Sequence, residues 1–164
     1  MSGIVVWLTG LPASGKSTLA ARVNARLAHP AVILDSDELR TILEASSYAT
    51  TDREHFYRVL ARLAATLARQ GLVVLVAATA QRRAHRDHAR DLAPRFLEVF
   101  VSTPLEECAR RDVKGLYAGA AAGEIAALPG VGVAYEPPQH PDIVSEGGHD
   151  ERAVAAILDK IRGA

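Results

Sequence analysis

The residues Gly10-Leu11-Pro12-Ala13-Ser14-Gly15-Lys16-Ser17-Thr18 carry the clearest chemistry in this chain. A glycine, four intervening residues and then Gly-Lys-Ser is the spacing of a phosphate-binding loop, which turns successive backbone N–H groups inward around an anion. Lys16 brings a point charge to the terminal phosphates, and Ser17 brings a hydroxyl to a magnesium ion. Gly10, Ala13, Ser14, Gly15, Lys16, Ser17 and Thr18 are therefore the expected nucleotide-binding set. Such a loop works between a strand and a helix, whose N-terminus adds its positive end to the cavity. The apolar run Ile4–Leu8 and the alanine- and leucine-rich stretch Leu19–Leu27 provide both.

A second cluster closes the next apolar run. Ala31–Leu34 reads as a strand that ends in Asp35-Ser36-Asp37-Glu38. In a parallel sheet the ligand lies beyond the carboxyl ends of the strands, so both aspartates are expected to face the phosphate loop. Asp37 is also placed to cap a helix over Glu38–Ala45. Magnesium takes oxygen ligands, and an acceptor hydroxyl needs a group to orient it or receive its proton. Ser17, Asp35 and Asp37 are thus the candidate metal ligands, with Asp37 the candidate base and Lys16 its catalytic partner.

The elements that must position these groups follow in order. Tyr48–Thr51 reads as a polar turn, with Thr51 or Asp52 capping a long helix to about Gln70. Phe56, Val59, Leu60, Leu63 and Leu67 supply its apolar side. Arg53 lies at its start, where a side chain can turn into the cleft; Arg58 and Arg62 suit either a site or a solvated face. Leu72–Ala77 is uniformly apolar, as a fully buried central strand is. No carboxylate follows it, so Asp35 or Asp37 must serve the metal. Gln81–Arg90 carries Arg82, Arg83, Arg86 and Arg90 with His85 and His88, a basic helix able to hold an anionic substrate, touch a partner or face water. The two histidines lack further ligands at zinc spacing. Phe96–Val101 is a fourth strand, and Pro104 begins a short helix in which Cys108 is expected to be a buried small residue. The basic, glycine-containing stretch from about residue 110 to 130 is where a mobile lid would close over transferring phosphates. A last strand near Asp142-Ile143-Val144, the separator Gly147-Gly148 and an amphipathic helix Glu151–Ile161 complete the chain. The expected architecture is one three-layer α/β domain over residues 1–164, a P-loop NTPase fold with a mostly parallel five-stranded sheet.

Composition is consistent with that reading. The chain has 164 residues, 49% of them apolar, enough for one domain with its own core. Nineteen basic side chains balance nineteen acidic ones, which argues against a broad nucleic-acid footprint. One cysteine makes no disulfide framework. No apolar run approaches the ~20 residues that cross a bilayer, so no membrane partner and a cytoplasmic location are expected.

Taken together, these residues resemble the adenylylsulfate kinase family along essentially the whole chain. The specific part is the second half: Phe96–Val101, Thr103-Pro104-Leu105-Glu106-Glu107-Cys108, Arg111-Asp112-Val113-Lys114-Gly115-Leu116-Tyr117, Ala121, Gly123-Glu124-Ile125 and Tyr135-Glu136-Pro137-Pro138. The resemblance implies transfer of the γ-phosphoryl group from ATP, with Mg2+, to the 3′-hydroxyl of adenylylsulfate, usually by a homodimer. Leu34-Asp35-Ser36-Asp37-Glu38-Leu39-Arg40 is similar to a family signature, which makes Asp37 the base and magnesium organiser and Arg40 a substrate-binding arginine. Tyr48 stands where a phenylalanine stacks on the substrate adenine. Arg53 and Lys114 match a substrate-binding arginine and the lid lysine, and Arg83 and Arg86 match arginines after the central strand; Arg110 is assigned to the nucleotide, and Arg110, Arg111 or Lys114 is the candidate to close with the lid and stabilise charge in flight.

The chain departs from the pattern around the acceptor. Phe56 and Leu128 occupy acceptor-site positions of an asparagine and a second stacking phenylalanine, and Phe56 offers no amide hydrogen bond. Pro129 replaces a threonine, Ala80 replaces a serine, and Ser36 and Glu38 alter the aspartate loop. Another small hydroxyl compound, a nucleotide or a specialised metabolite, is therefore the alternative acceptor. A nucleotide-binding module without turnover and a nucleic-acid end kinase using Arg82–Arg90 are the rival classes.

Overall fold

The computed structural model describes residues 2–112, 114–126 and 128–163. Val113 of the lid motif, and Ala127 within the expected lid, lie outside the described residues. Five strands form one sheet in the order β2-β3-β1-β4-β5: β1 Ile4–Thr9, β2 Val32–Asp35, β3 Val73–Ala77, β4 Phe96–Val101 and β5 Ile143–Ser145. Every pairing among them is parallel, with Val6 opposite Leu75 on one side and Leu97 on the other. β1 is central and wholly buried, as its unbroken apolar run requires.

Alternation along β1 divides the core. Ile4, Val6 and Leu8 pack with Leu19, Val23, Val154, Ile157 and Ile161, from α1 (Lys16–Asn24) and the last helix, Glu151–Arg162. Val5 and Trp7 point the other way, toward Phe56, Leu60, Ala64 and Ala89. These belong to α3 (Thr50–Arg69) and α4 (Arg83–Leu92); α2 (Ser36–Ile42) adds Leu39. The result is the expected three-layer α/β fold, with β1 at the point where the chain reverses its direction of winding, the position at which such sheets bind ligands.

Local details differ from expectation. Asp35, not Asp37, caps α2, because its side chain accepts the Asp37 N–H at 3.0 Å. Helix α3 begins at Thr50 behind Ala49, so the expected caps Thr51 and Asp52 lie inside its first turn and no side chain caps it. Its sheet-facing side uses Ala61, Ala64, Ala65 and Ala68, while Leu63 is turned partly to solvent. Arg58 and Arg62 are exposed.

The basic helix α4 is a scaffold clamp. Arg86 is 1% exposed; its Nε donates to Glu98 Oε2 at 2.9 Å and its two Nη atoms to the carbonyls of Ala80 at 2.5 Å and Glu136 at 2.6 Å. Arg83 donates to the Pro137 carbonyl at 2.8 Å, and Arg90 lies 3.4 Å from Asp142. Together these tie the Tyr135–Pro138 segment and β4 to α4, with Arg86 buried inside the fold while Arg82 and Arg90 remain exposed. Burial and then Arg82 push His85 down to about 4, which leaves it neutral near pH 7.

Candidate active site

The phosphate loop joins β1 to α1. Gly15 caps α1 with φ 106°, and no side chain satisfies the first N–H groups of that helix. Those N–H groups and the helix dipole open onto a cavity of about 950 Å3. Ala13, Gly15, Lys16, Ser17 and Thr18 line it. Gly10 and Ser14 do not. Ser14 is fully buried and its carbonyl accepts the Thr103 hydroxyl at 2.7 Å, so this pair supports the loop from below. Lys16 folds back, its Nζ donating to the Gly10 and Leu11 carbonyls at 3.0 and 2.8 Å. Burial is the main cause that lowers its pKa to about 8, and Lys114 adds like-charge repulsion.

Beside the loop, the Ser17 hydroxyl donates to Asp35 Oδ2. Asp35 thus caps α2 with one oxygen and holds Ser17 with the other. Asp37, in the first turn of α2, opens into the same cavity and is ion-paired with Lys114, both side chains being more than half exposed. Lys114 precedes the short helix α6 (Leu116–Ala121), which follows α5 (Leu105–Arg111). Asp112, ahead of the Gly115 N-cap, accepts the Tyr117 and Ala118 N–H groups of the first turn of α6 at 2.8 and 2.9 Å, and the Tyr117 hydroxyl donates to the Pro12 carbonyl at 2.8 Å. The segment expected to form a lid is therefore tied to the phosphate loop at Pro12. Arg110 does not enter the cavity: its side chain is 75% exposed and bound to Glu107, one helical turn earlier. Arg111, a helical step of about 100° further round, lines the cavity instead.

A different wall holds two buried guanidiniums. Arg40 is 9% exposed and Arg53 5% exposed, and both line the cavity with Tyr48. Burial, and then the neighbouring Arg40, lowers the pKa of Arg53. Arg40 Nη1 donates to the carbonyls of Ala45 at 3.1 Å and Ser47 at 3.2 Å. Phe56 is not a wall residue. It is 2% exposed, and its ring lies in the core against Arg40, because it faces the sheet on the side of α3 that Leu60 and Ala64 share. Leu128 does reach the wall, from an apolar cluster with Cys108 and Tyr117.

Contributions from two further places in the chain escape sequence reasoning. Gly148 and His149 line the cavity from across the domain, and Gly148 lies so close to the loop that a Cβ there would stand 2.8 Å from the Gly15 carbonyl. Tyr57 lines it too; its hydroxyl accepts the Ala80 N–H at 3.1 Å. The paired glycines at 147–148 were the available signal for the first. Cys108, fully buried with its thiol pushed up by burial, takes no part.

Fold and site together define a P-loop kinase, an ATP-dependent phosphotransferase. The adenylylsulphate kinase family model matches residues 2–146, and the chain belongs to that family. An adenylyl-sulfate kinase from Synechococcus is 39% identical over 163 residues, covering 97% of this chain and 92% of that protein. A probable bifunctional SAT/APS kinase from Sorangium cellulosum is 41% identical over 98% of this chain, which spans 29% of that longer protein. Among solved structures, the Mycobacterium tuberculosis APS kinase CysC in complex with AMPPNP and APS superposes with a TM-score of 0.89 at 39% identity, over 99% of each chain.

Proposed function

We propose that this kinase phosphorylates the 3′-hydroxyl of adenylylsulfate, and that Asp37, Arg40, Tyr48, Arg53 and Lys114 form its acceptor side. The observation that carries this reading is the buried pair Arg40 and Arg53 beside the Tyr48 ring, in the same cavity as the phosphate loop. Two desolvated cations suit an acceptor with its own anionic group, and an adjacent aromatic ring suits a base. The acceptor oxygen forms the new bond to the γ-phosphorus as the bond to the β–γ bridging oxygen breaks. ADP leaves with that oxygen, and the hydroxyl proton passes to Asp37. Lys16 and the α1 N–H groups neutralise the phosphates, and Lys114, already beside Asp37, keeps positive charge where negative charge moves.

Ser17 and Asp35 present hard oxygen donors next to the loop, and no set of three His, Cys, Asp or Glu that would cage a metal alone exists among the described residues. That suits Mg2+, which is usually held by one or two protein oxygens plus substrate phosphates. Ser17, Asp35 and Asp37 would hold it, and it would supply charge neutralisation when bound. A homodimer and a cytoplasmic location belong to the same reading. In support of the second, no helix among the described residues is long and apolar enough to cross a membrane. The internal use of Arg86 also favours a small-molecule acceptor over nucleic acid.

The test is coupled ADP release with magnesium ATP, with and without adenylylsulfate. Acceptor-dependent turnover is expected, and Asp37→Asn should lower kcat by at least about a hundredfold. ADP release that ignores adenylylsulfate would overturn the acceptor assignment and direct the search to another hydroxyl compound.

A further inference from the structure

Arg40 is held in an unusual way for a buried cation. It sits at the cavity wall at 9% exposure, and among the described residues no carboxylate lies within ion-pair reach of it. Its guanidinium is instead flanked by two rings, with Cζ 4.1 Å from the centroid of Tyr48 and 4.1 Å from that of Phe56. Nη1 is committed to the carbonyls of Ala45 and Ser47. All these partners are neutral. They fix the plane of the guanidinium without cancelling its charge, and Arg is not deprotonated in proteins. A carboxylate partner would hold Arg40 as firmly but would compete with an incoming anion.

The two rings differ in kind. Tyr48 is 50% exposed on the loop before α3, whereas Phe56 is 2% exposed and locked in the core, edge-on to Tyr57 at 5.4 Å between centroids. Tyr48 can move with a ligand. Phe56 cannot, so it sets where the guanidinium rests.

We propose that Phe56 is a positioning residue for acceptor recognition: its ring preorganises Arg40 for an anionic acceptor, and acceptor affinity depends on an aromatic side chain at this position. The inference rests on the reading that Arg40 contacts the acceptor. A guanidinium on a ring at a partly desolvated site gains enough to matter in binding, and preorganisation spares ordering a long side chain when the acceptor arrives.

The experiment compares wild type, Phe56→Leu and Phe56→Tyr for KM toward adenylylsulfate, KM toward ATP, kcat and thermal midpoint. Phe56→Leu is expected to raise the adenylylsulfate KM about three- to thirtyfold, with ATP KM and kcat within about twofold, and Phe56→Tyr to restore most of the loss. If the leucine variant does not fold, Phe56→Met refills the volume without a ring and is expected to show the same split. In an Arg40→Gln background, Phe56→Leu should change the adenylylsulfate KM by less than about twofold, since the ring acts through the arginine. An unchanged adenylylsulfate KM in the ring-less variants, an equal rise in both KM values, or an undiminished effect in the Arg40→Gln background would overturn the proposal. A wild type with no adenylylsulfate-dependent turnover overturns instead the reading beneath it.

Discussion

Gly148→Ala should disturb nucleotide binding from a position far from the phosphate loop in sequence. A methyl group there would lie 2.8 Å from the Gly15 carbonyl oxygen, 2.8 Å from Thr18 Cβ and 3.1 Å from Thr18 Cγ2. Neither a backbone carbonyl nor a Cβ can swing aside, so the loop or the 147–149 turn must shift. Overpacking of this kind costs about 1–3 kcal/mol. If the displacement falls on the loop, ATP affinity should fall by roughly five- to a hundredfold, at about 1.4 kcal/mol per decade. If the fold absorbs it, the thermal midpoint should fall by ~2–12 °C for a domain of this size. Isothermal titration with ATP and a thermal melt of the same protein separate the two. Gly147→Ala is the internal control, because a Cβ there would meet only Thr103 Oγ1 at an ordinary 3.6 Å. Gly148→Ala that matches wild type in both measurements would refute the claim that this glycine shapes the loop. So would an equal effect at Gly147.

Two further outcomes follow from the buried charges. Arg86→Met leaves Glu98 with only the more distant Arg90 at 3.8 Å and strips a donor from the Ala80 and Glu136 carbonyls. It should lose about 3 kcal/mol in urea unfolding, and Glu98→Gln added to it should recover part of that; a loss below about 1 kcal/mol would contradict the clamp. Lys16 sheds its proton as pH rises through about 8 in the free enzyme. Bound polyphosphate favours the charged ammonium and raises that value, so ATP binding should take up a proton above pH 8 and weaken as pH rises further. Calorimetry at about pH 9 in two buffers of different ionisation enthalpy reads the uptake, and buffer-independent heats would refute it.

Much of this protein was legible in the residues themselves because its determinants are local. The phosphate loop is recognised by spacing alone, since the backbone path it needs depends on consecutive residues. Ile4–Leu8 reads as a buried parallel strand, and so does Leu72–Ala77, although the strand begins at Val73, Leu72 is exposed, and β1 rather than this strand is central; Asp35 and Asp37 stand at a strand's carboxyl end, where the cavity opens. The ordered motifs of the second half marked the family that the comparisons bear out.

Tertiary structure decided which of several similar side chains enters the site. Arg53 turns inward while Arg58 and Arg62 on the same helix meet water, and Arg111 lines the cavity while its neighbour Arg110 does not. Arg86, one of a basic row in sequence, is buried because Glu98 of β4 and the Glu136 carbonyl come from elsewhere in the chain to meet it. Gly148 reached the phosphate loop, and Phe56 came to rest against Arg40 rather than in the cavity, by packing of the same kind. A residue's type and local pitch set what it can bond. Its partner comes from a strand or loop that is distant along the chain, and only the closed sheet with its two helical layers brings the two together.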